Sequence, residues 1–94
     1  MSNPAQVVVY SKSTCPFCRR ASALLNGKGV AFTEIEIAGD SAKREEMIAR
    51  SGRTTVPQVF VGGVHVGGSD ELQSAEDSGR LDDLLSQAAA GNHK

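Results

Sequence analysis

A chain of 94 residues with a net charge of −1 has room for one domain and one modest core; at this size roughly 60–68 % of the extended surface is buried on folding. Apolar residues are 39 % and charged residues 22 %, with 10 glycines against 3 prolines, a balance that excludes disordered and low-complexity classes. No apolar run approaches the ~20 residues of a membrane span, and the opening MSNPAQ lacks the basic start and apolar stretch of a secretory signal. The expectation is a cytoplasmic monomer, a single domain over residues 1–94 with its core at about 6–88, without membrane association.

Charge is unevenly placed. Residues 1–30 carry Lys12, Arg19, Arg20 and Lys28 and no acid, whereas residues 31–94 carry six bases and eleven acids. That is not the broad basic surface of a nucleic-acid binder. It is a local positive field suited to a small anion.

In chain order, Gln6 to Ser11 is a short β-branched run that suits a buried strand. A cysteine loop comes next, and then a helical stripe of Ala21, Leu24, Leu25 and Lys28 with Pro16 at its start and Gly27 and Gly29 at its end. Val30 to Ile37 reads as a strand. Asp40 or Ser41 then caps a helix to about Ser51, with Glu45 and Glu46 outside, Met47 and Ile48 inside and Gly52 ending it. Strand–helix–strand predicts a parallel pair. The rhythm then changes: Gln58–Val61 and Val64–Val66 flank Gly62-Gly63, a hairpin signal. Ser69 reads as the N-cap of a helix that breaks near Gly79, and a last helix carries Leu81, Leu84, Leu85 and Ala88 until Gly91. These elements make an α/β fold, a four-stranded mixed sheet with helices on both faces.

The chemistry lies in Cys15 and Cys18. Their loop is too small to staple distant parts of the chain, but two thiols at a helix start can form and open a local disulfide. Cys15 stands at the loop tip, where helix N–H groups, the dipole, and Lys12, Arg19 and Arg20 favour a thiolate. Thiolates attack disulfides. Cys18, one turn further in, is better placed to resolve a mixed disulfide, and Phe17 offers an apolar surface beside the nucleophile. A zinc site wants about four ligands, and His65 and His93 fall at no finger spacing, so no metal is expected.

Two further segments admit both plain and functional readings. Pro57 in Thr55-Val56-Pro57 marks a strand start where no ladder donor is required; a cis bond there would leave the Val56 backbone free to pair with an extended, peptide-like substrate. Gly67-Gly68-Ser69-Asp70 is a turn and a cap; its free N–H groups could also hold a carboxylate, with the Asp70 side chain taking an ammonium. A small zwitterion fits that pair of ends.

With Cys15-Pro16-Phe17-Cys18, Thr55-Val56-Pro57 and Gly67-Gly68-Ser69-Asp70 at these separations, the chain resembles the glutaredoxins, specifically the small dithiol class common in bacteria, from about Gln6 to Ala88. The resemblance implies a thioredoxin-like fold and glutathione as co-substrate. It also implies reduction of client proteins that carry disulfides or glutathionylated thiols. By position it makes Cys15 the nucleophile and Cys18 the resolving thiol. Lys12 assists the thiolate and meets the glycyl carboxylate, with Arg44 near another position for that carboxylate. Phe17 stands where tyrosine is usual; Thr55, Val56 and Pro57 hold the glutathione backbone; Gly68, Ser69 and Asp70 hold its γ-glutamyl end. Many relatives have arginine where this chain has Thr54, and Arg53 would point elsewhere if its segment is extended. Two other functions remain open: a thioredoxin-like reductase driven by a flavoprotein, and an iron–sulfur carrier using Cys15 and glutathione.

Overall fold

Val7–Ser11 forms β1, an interior strand whose alternate residues enter two separate cores, which is why Val7, Val8, Val9 and Tyr10 are all large and apolar or aromatic. Val7 and Val9 face one side of the sheet, and Tyr10 with Val8 faces the other. The computed structural model describes residues 6–91, with side chains through residue 88. After β1 come α1 (Pro16–Gly27), β2 (Thr33–Glu36), α2 (Ser41–Ser51), β3 (Gln58–Val61), β4 (Val64–Gly67), α3 (Ser69–Ser78) and α4 (Arg80–Gly91). The sheet order is β2-β1-β3-β4; β1 and β2 are parallel and the other pairs antiparallel. This is the thioredoxin-like arrangement.

On one face Leu25 of α1, Leu72 of α3 and Leu81 of α4 pack with Val59, Val61 and Val66 of β3 and β4. Each of these leucines is wholly buried, worth about 1.5–3 kcal/mol apiece. On the other face Met47 of α2 meets Tyr10, Ile37 and Phe60. Lys28, the C-cap of α1, ties that helix to the two that follow by ion pairs: its Nζ lies 2.7 Å from Glu76 of α3 and 2.7 Å from Asp82 of α4.

Three boundaries or faces depart from the sequence reading. β2 is four residues rather than eight, because Val30 and Phe32 turn into the α1–α3 core before pairing with β1 begins at Val8–Thr33. Glu46 is half-exposed beside Lys43 and is more than a solvated charge: its carboxylate also accepts the Tyr10 hydroxyl at 2.5 Å, while Arg50 donates to the same hydroxyl at 2.8 Å. The N-cap of α3 is Gly68, and Ser69 is the first helical residue, 8 % exposed. Gly62 and Gly63 make the hairpin as expected, both at positive φ, 58° and 84°, the backbone that a two-residue turn of this hand requires. The last helix ends at Gly91, and His93 lies outside the described residues.

Candidate active site

Cys15 is the N-cap of α1, in extended backbone, and Pro16 is its first helical residue. That position needs no N–H from proline, and it turns the Cys15 sulfur back over the first turn, where it accepts the Cys18 N–H at 3.3 Å. The Cys15 N–H donates to the Lys12 carbonyl at 3.0 Å, closing the loop beneath it. Both cysteines are free thiols, Cys15 half-buried and Cys18 only 2 % exposed. Burial pushes the Cys18 thiol up to about 12, and hydrogen bonding with Cys15 adds to the shift. Near neutral pH Cys18 therefore keeps its proton.

Opposite Cys15 lies the turn between α2 and β3. The Val56–Pro57 bond is cis, and the Cys15 thiol points at the Val56 carbonyl, 3.9 Å away. The backbone bends at Gly52, which ends α2 in the left-handed region, and bends again at Thr55 and Val56. Because the segment is bent and not extended, Arg53 does not point elsewhere. It turns back over the cleft and sets its Nη1 3.3 Å from Glu71 Oε1.

A cleft of about 180 Å³ runs from this turn to the start of α3. Phe17, Thr55, Val56, Pro57, Gly68, Ser69 and Asp70 all line it, joined by Arg53 and Glu71. Phe17 is 52 % exposed at its edge, with the Arg20 guanidinium 5.5 Å from the ring centre. Lys12 stands apart from these residues: it is exposed and lines a second cleft on the far side of the loop, together with Cys18. Arg44 is exposed on α2 and lines neither cleft.

The start of α3 is not as free as the sequence suggests. The Gly68 N–H donates to the Glu71 carboxylate at 2.6 Å, within its own helix turn. That contact, with Arg53 adding to it, holds the Glu71 carboxyl below the usual carboxylate range. The N–H groups of Ser69 and Asp70 still have no acceptor one turn back by helix geometry, and both residues line the cleft.

Sequence reasoning passed over one residue that shapes the site. Gln58 opens β3 wholly buried; its Nε2 donates to the Thr55 carbonyl at 3.0 Å and to the Thr55 hydroxyl at 3.2 Å. Its Oε1 is 2.7 Å from His65 Nε2, so the amide ties β4 to the turn that presents Val56. A polar residue at the head of an apolar strand, next to the proline, was the available signal. Among the described residues no three His, Cys, Asp or Glu side chains gather to hold a metal ion, and no helix is long and apolar enough to cross a membrane.

Comparison with known proteins settles the lineage. A glutaredoxin family model matches residues 7–66. The chain belongs to the glutaredoxin family. Glutaredoxin 3 of Escherichia coli K12 is 58 % identical over 81 residues, which are 86 % of this chain and 98 % of that protein. The solution structure of the Brucella melitensis glutaredoxin superposes with a TM-score of 0.77 at 50 % identity, covering 87 % of this chain and 89 % of that one. A crystal structure of a buckwheat glutaredoxin–glutathione complex gives a TM-score of 0.82 at 31 % identity, covering 89 % and 79 %. Membership places the chain among thiol–disulfide oxidoreductases with a cysteine pair and a connection to glutathione.

Proposed function

We propose that this glutaredoxin reduces glutathionylated protein thiols and protein disulfides, with Cys15 as nucleophile, Cys18 as resolving thiol and glutathione as co-substrate. The observation that carries the reading is the placing of Cys15 Sγ 3.9 Å from the Val56 carbonyl, at the end of a cleft lined by Arg53, Ser69 and Asp70. An extended glutathione would lie along that cleft, pairing its cysteine backbone with Val56. The N–H groups of Ser69 and Asp70 would take its γ-glutamyl carboxylate, and the Asp70 side chain its ammonium. Arg53 would supply the cation that Thr54 lacks, and Lys12 adds positive charge beside the Cys15 loop. The solved buckwheat complex with glutathione supports the choice of ligand.

The Cys15 thiolate attacks the glutathione sulfur of a mixed disulfide. A new S–S bond forms, the old one breaks, and the client sulfur leaves with the electron pair as a thiolate that takes a proton. A second glutathione then attacks the glutathione sulfur on Cys15 and leaves as oxidised glutathione, returning Cys15 reduced. With a protein disulfide, Cys15 instead becomes joined to one client sulfur, and Cys18 displaces it by forming the Cys15–Cys18 disulfide. Glutathione later reduces that disulfide. Thiol pairs of this kind stay reduced in the cytosol, the compartment this reading implies.

The test is turnover of a glutathionylated peptide with glutathione, glutathione reductase and NADPH. The reading expects activity in the wild type and in Cys18→Ser, and none in Cys15→Ser. Activity that survives Cys15→Ser, or that needs a flavoprotein reductant in place of glutathione, would overturn it.

A further inference from the structure

We propose that Glu34 is the proton acceptor for Cys18 when Cys18 resolves a mixed disulfide at Cys15. The inference rests on the reading of Cys15 and Cys18 given above and adds to it the step that reading leaves without a base. A thiol that keeps its proton near neutral pH is a poor nucleophile, and Cys18 must lose that proton to attack.

The way out is a cleft of about 460 Å³ behind the cysteine loop, separate from the one that carries Val56 and Ser69. Its walls hold Cys18 and Ser22 of α1, Glu34 and Glu36 of β2, and Lys12 and Arg19 around the loop. The volume accommodates several waters at roughly 30 Å³ each. Of the four charged groups there, Lys12 and Arg19 are cations and accept nothing. Glu36 makes its hydrogen bonds away from α1: its Oε2 accepts the N–H of Ser13 at 3.2 Å and that of Ala38 at 3.1 Å.

Glu34 is the carboxylate whose hydrogen bonds reach α1, and it is held in place. Its Oε2 accepts the Ser11 hydroxyl at 2.8 Å and the Ser22 hydroxyl at 3.3 Å. Ser11 is 1 % exposed, at the end of β1. Ser22 lies four residues beyond Cys18, on the same face of α1. Two hydroxyls on one oxygen thus pin the carboxylate against Ser22, the residue one helical turn beyond the buried thiol, in the cleft that Cys18 also lines, and leave Oε1 for a water. The negative charge of Glu34 is also among the causes that keep Cys18 protonated until attack.

In the step, the Cys18 S–H bond breaks and its proton passes through a water to the Glu34 carboxylate. The Cys18–Cys15 S–S bond forms, and the bond from Cys15 to the client sulfur breaks. The client sulfur departs with the electron pair, and Glu34 returns the proton to it or to solvent. The client disulfide is the oxidant, and nothing else is consumed.

An aromatic disulfide whose thiol is coloured on release, a bis-nitrobenzoate disulfide, reads the two sulfurs in turn. The first phase reports attack by Cys15, and the second reports displacement by Cys18. General bases contribute ~10²–10⁴-fold; for one acting through water we expect Glu34→Gln to slow the second phase at least about tenfold relative to the first. Added acetate should restore part of that loss, which a merely structural defect would not allow. Ser22→Ala, which frees one side of the carboxylate, should slow the second phase by a smaller factor. A second phase unchanged in Glu34→Gln, or slowed in the same ratio as the first and deaf to acetate, would overturn the proposal. Absence of the first phase in the wild type would instead sink the assignment of Cys15, and this step with it.

Discussion

Two residues separate two sulfurs with opposite dispositions. Cys15, half-buried at a helix cap, lies open to a reagent, whereas Cys18 is buried and holds its proton up to about pH 12. Iodoacetamide near neutral pH should therefore add once to the native protein, and Cys15→Ser should resist it; rapid double alkylation of native protein would contradict the assignment. Gln58 is the other decisive residue. Gln58→Leu keeps the volume but leaves the Thr55 carbonyl and His65 without their partner, at a cost of about 1–3 kcal/mol. Urea denaturation should show that loss, and KM for the glutathionylated peptide should rise as the Val56 turn loosens. An unchanged denaturation midpoint would mean that water replaces the amide.

At the scale of elements, the junction of β4 and α3 is the tightest joint beside the cleft. Gly67 sits at φ +125°, and a Cβ there would lie 2.7 Å from Glu71 Cβ and 2.9 Å from its Cγ. Gly67→Ala should cost about 1–3 kcal/mol through backbone strain alone, and should weaken glutathione binding by displacing Glu71 from Gly68 and Arg53. Equal stability and KM would show that the helix start shifts freely. The same joint shows where sequence reading stops. β1, α1 and the hairpin were legible because their signals are local: a β-branched run, a stripe at helical spacing, two adjacent glycines. So was the meeting of Cys15, Val56 and Ser69 around one site, through the resemblance of three motifs. The position of Arg53 was not, since it depends on the bend after Gly52 and on Glu71, eighteen residues away. Nor was the contact of Glu46 with Tyr10, which lies on a strand thirty-six residues earlier. Contacts of that kind exist only once the sheet has been ordered.

For the molecule as a whole, charge sets a stability window. His65 has its pKa lowered from 6.5, chiefly by burial. Glu46 and Glu71 have theirs lowered from 4.5, by the Tyr10 hydroxyl and by the Gly68 N–H respectively. In each case the unfolded chain takes up the proton first as pH falls, so stability declines below those values. Lys28 has its pKa raised from 10.5 by Asp82 and Glu76, so its contribution is lost only as pH rises above that value. The unfolding midpoint should accordingly hold level from neutral pH to about 9, fall above it because the unfolded chain ionises Cys18 from 9.0 while the folded protein keeps that thiol protonated, begin to fall below 6.5, and fall again below 4.5. His65→Gln should remove the first decline and leave the second. A single decline near 4.5 in the wild type would show that His65 is solvated in the folded state.

The claim on which the rest depends is that Cys15 takes glutathione. Cys18→Ser incubated with oxidised glutathione and read by intact mass tests it most directly. The account predicts one glutathione adduct, absent when Cys15 is also replaced, and removed by reduced glutathione. An unmodified Cys15, or an adduct that glutathione cannot turn over, would contradict it.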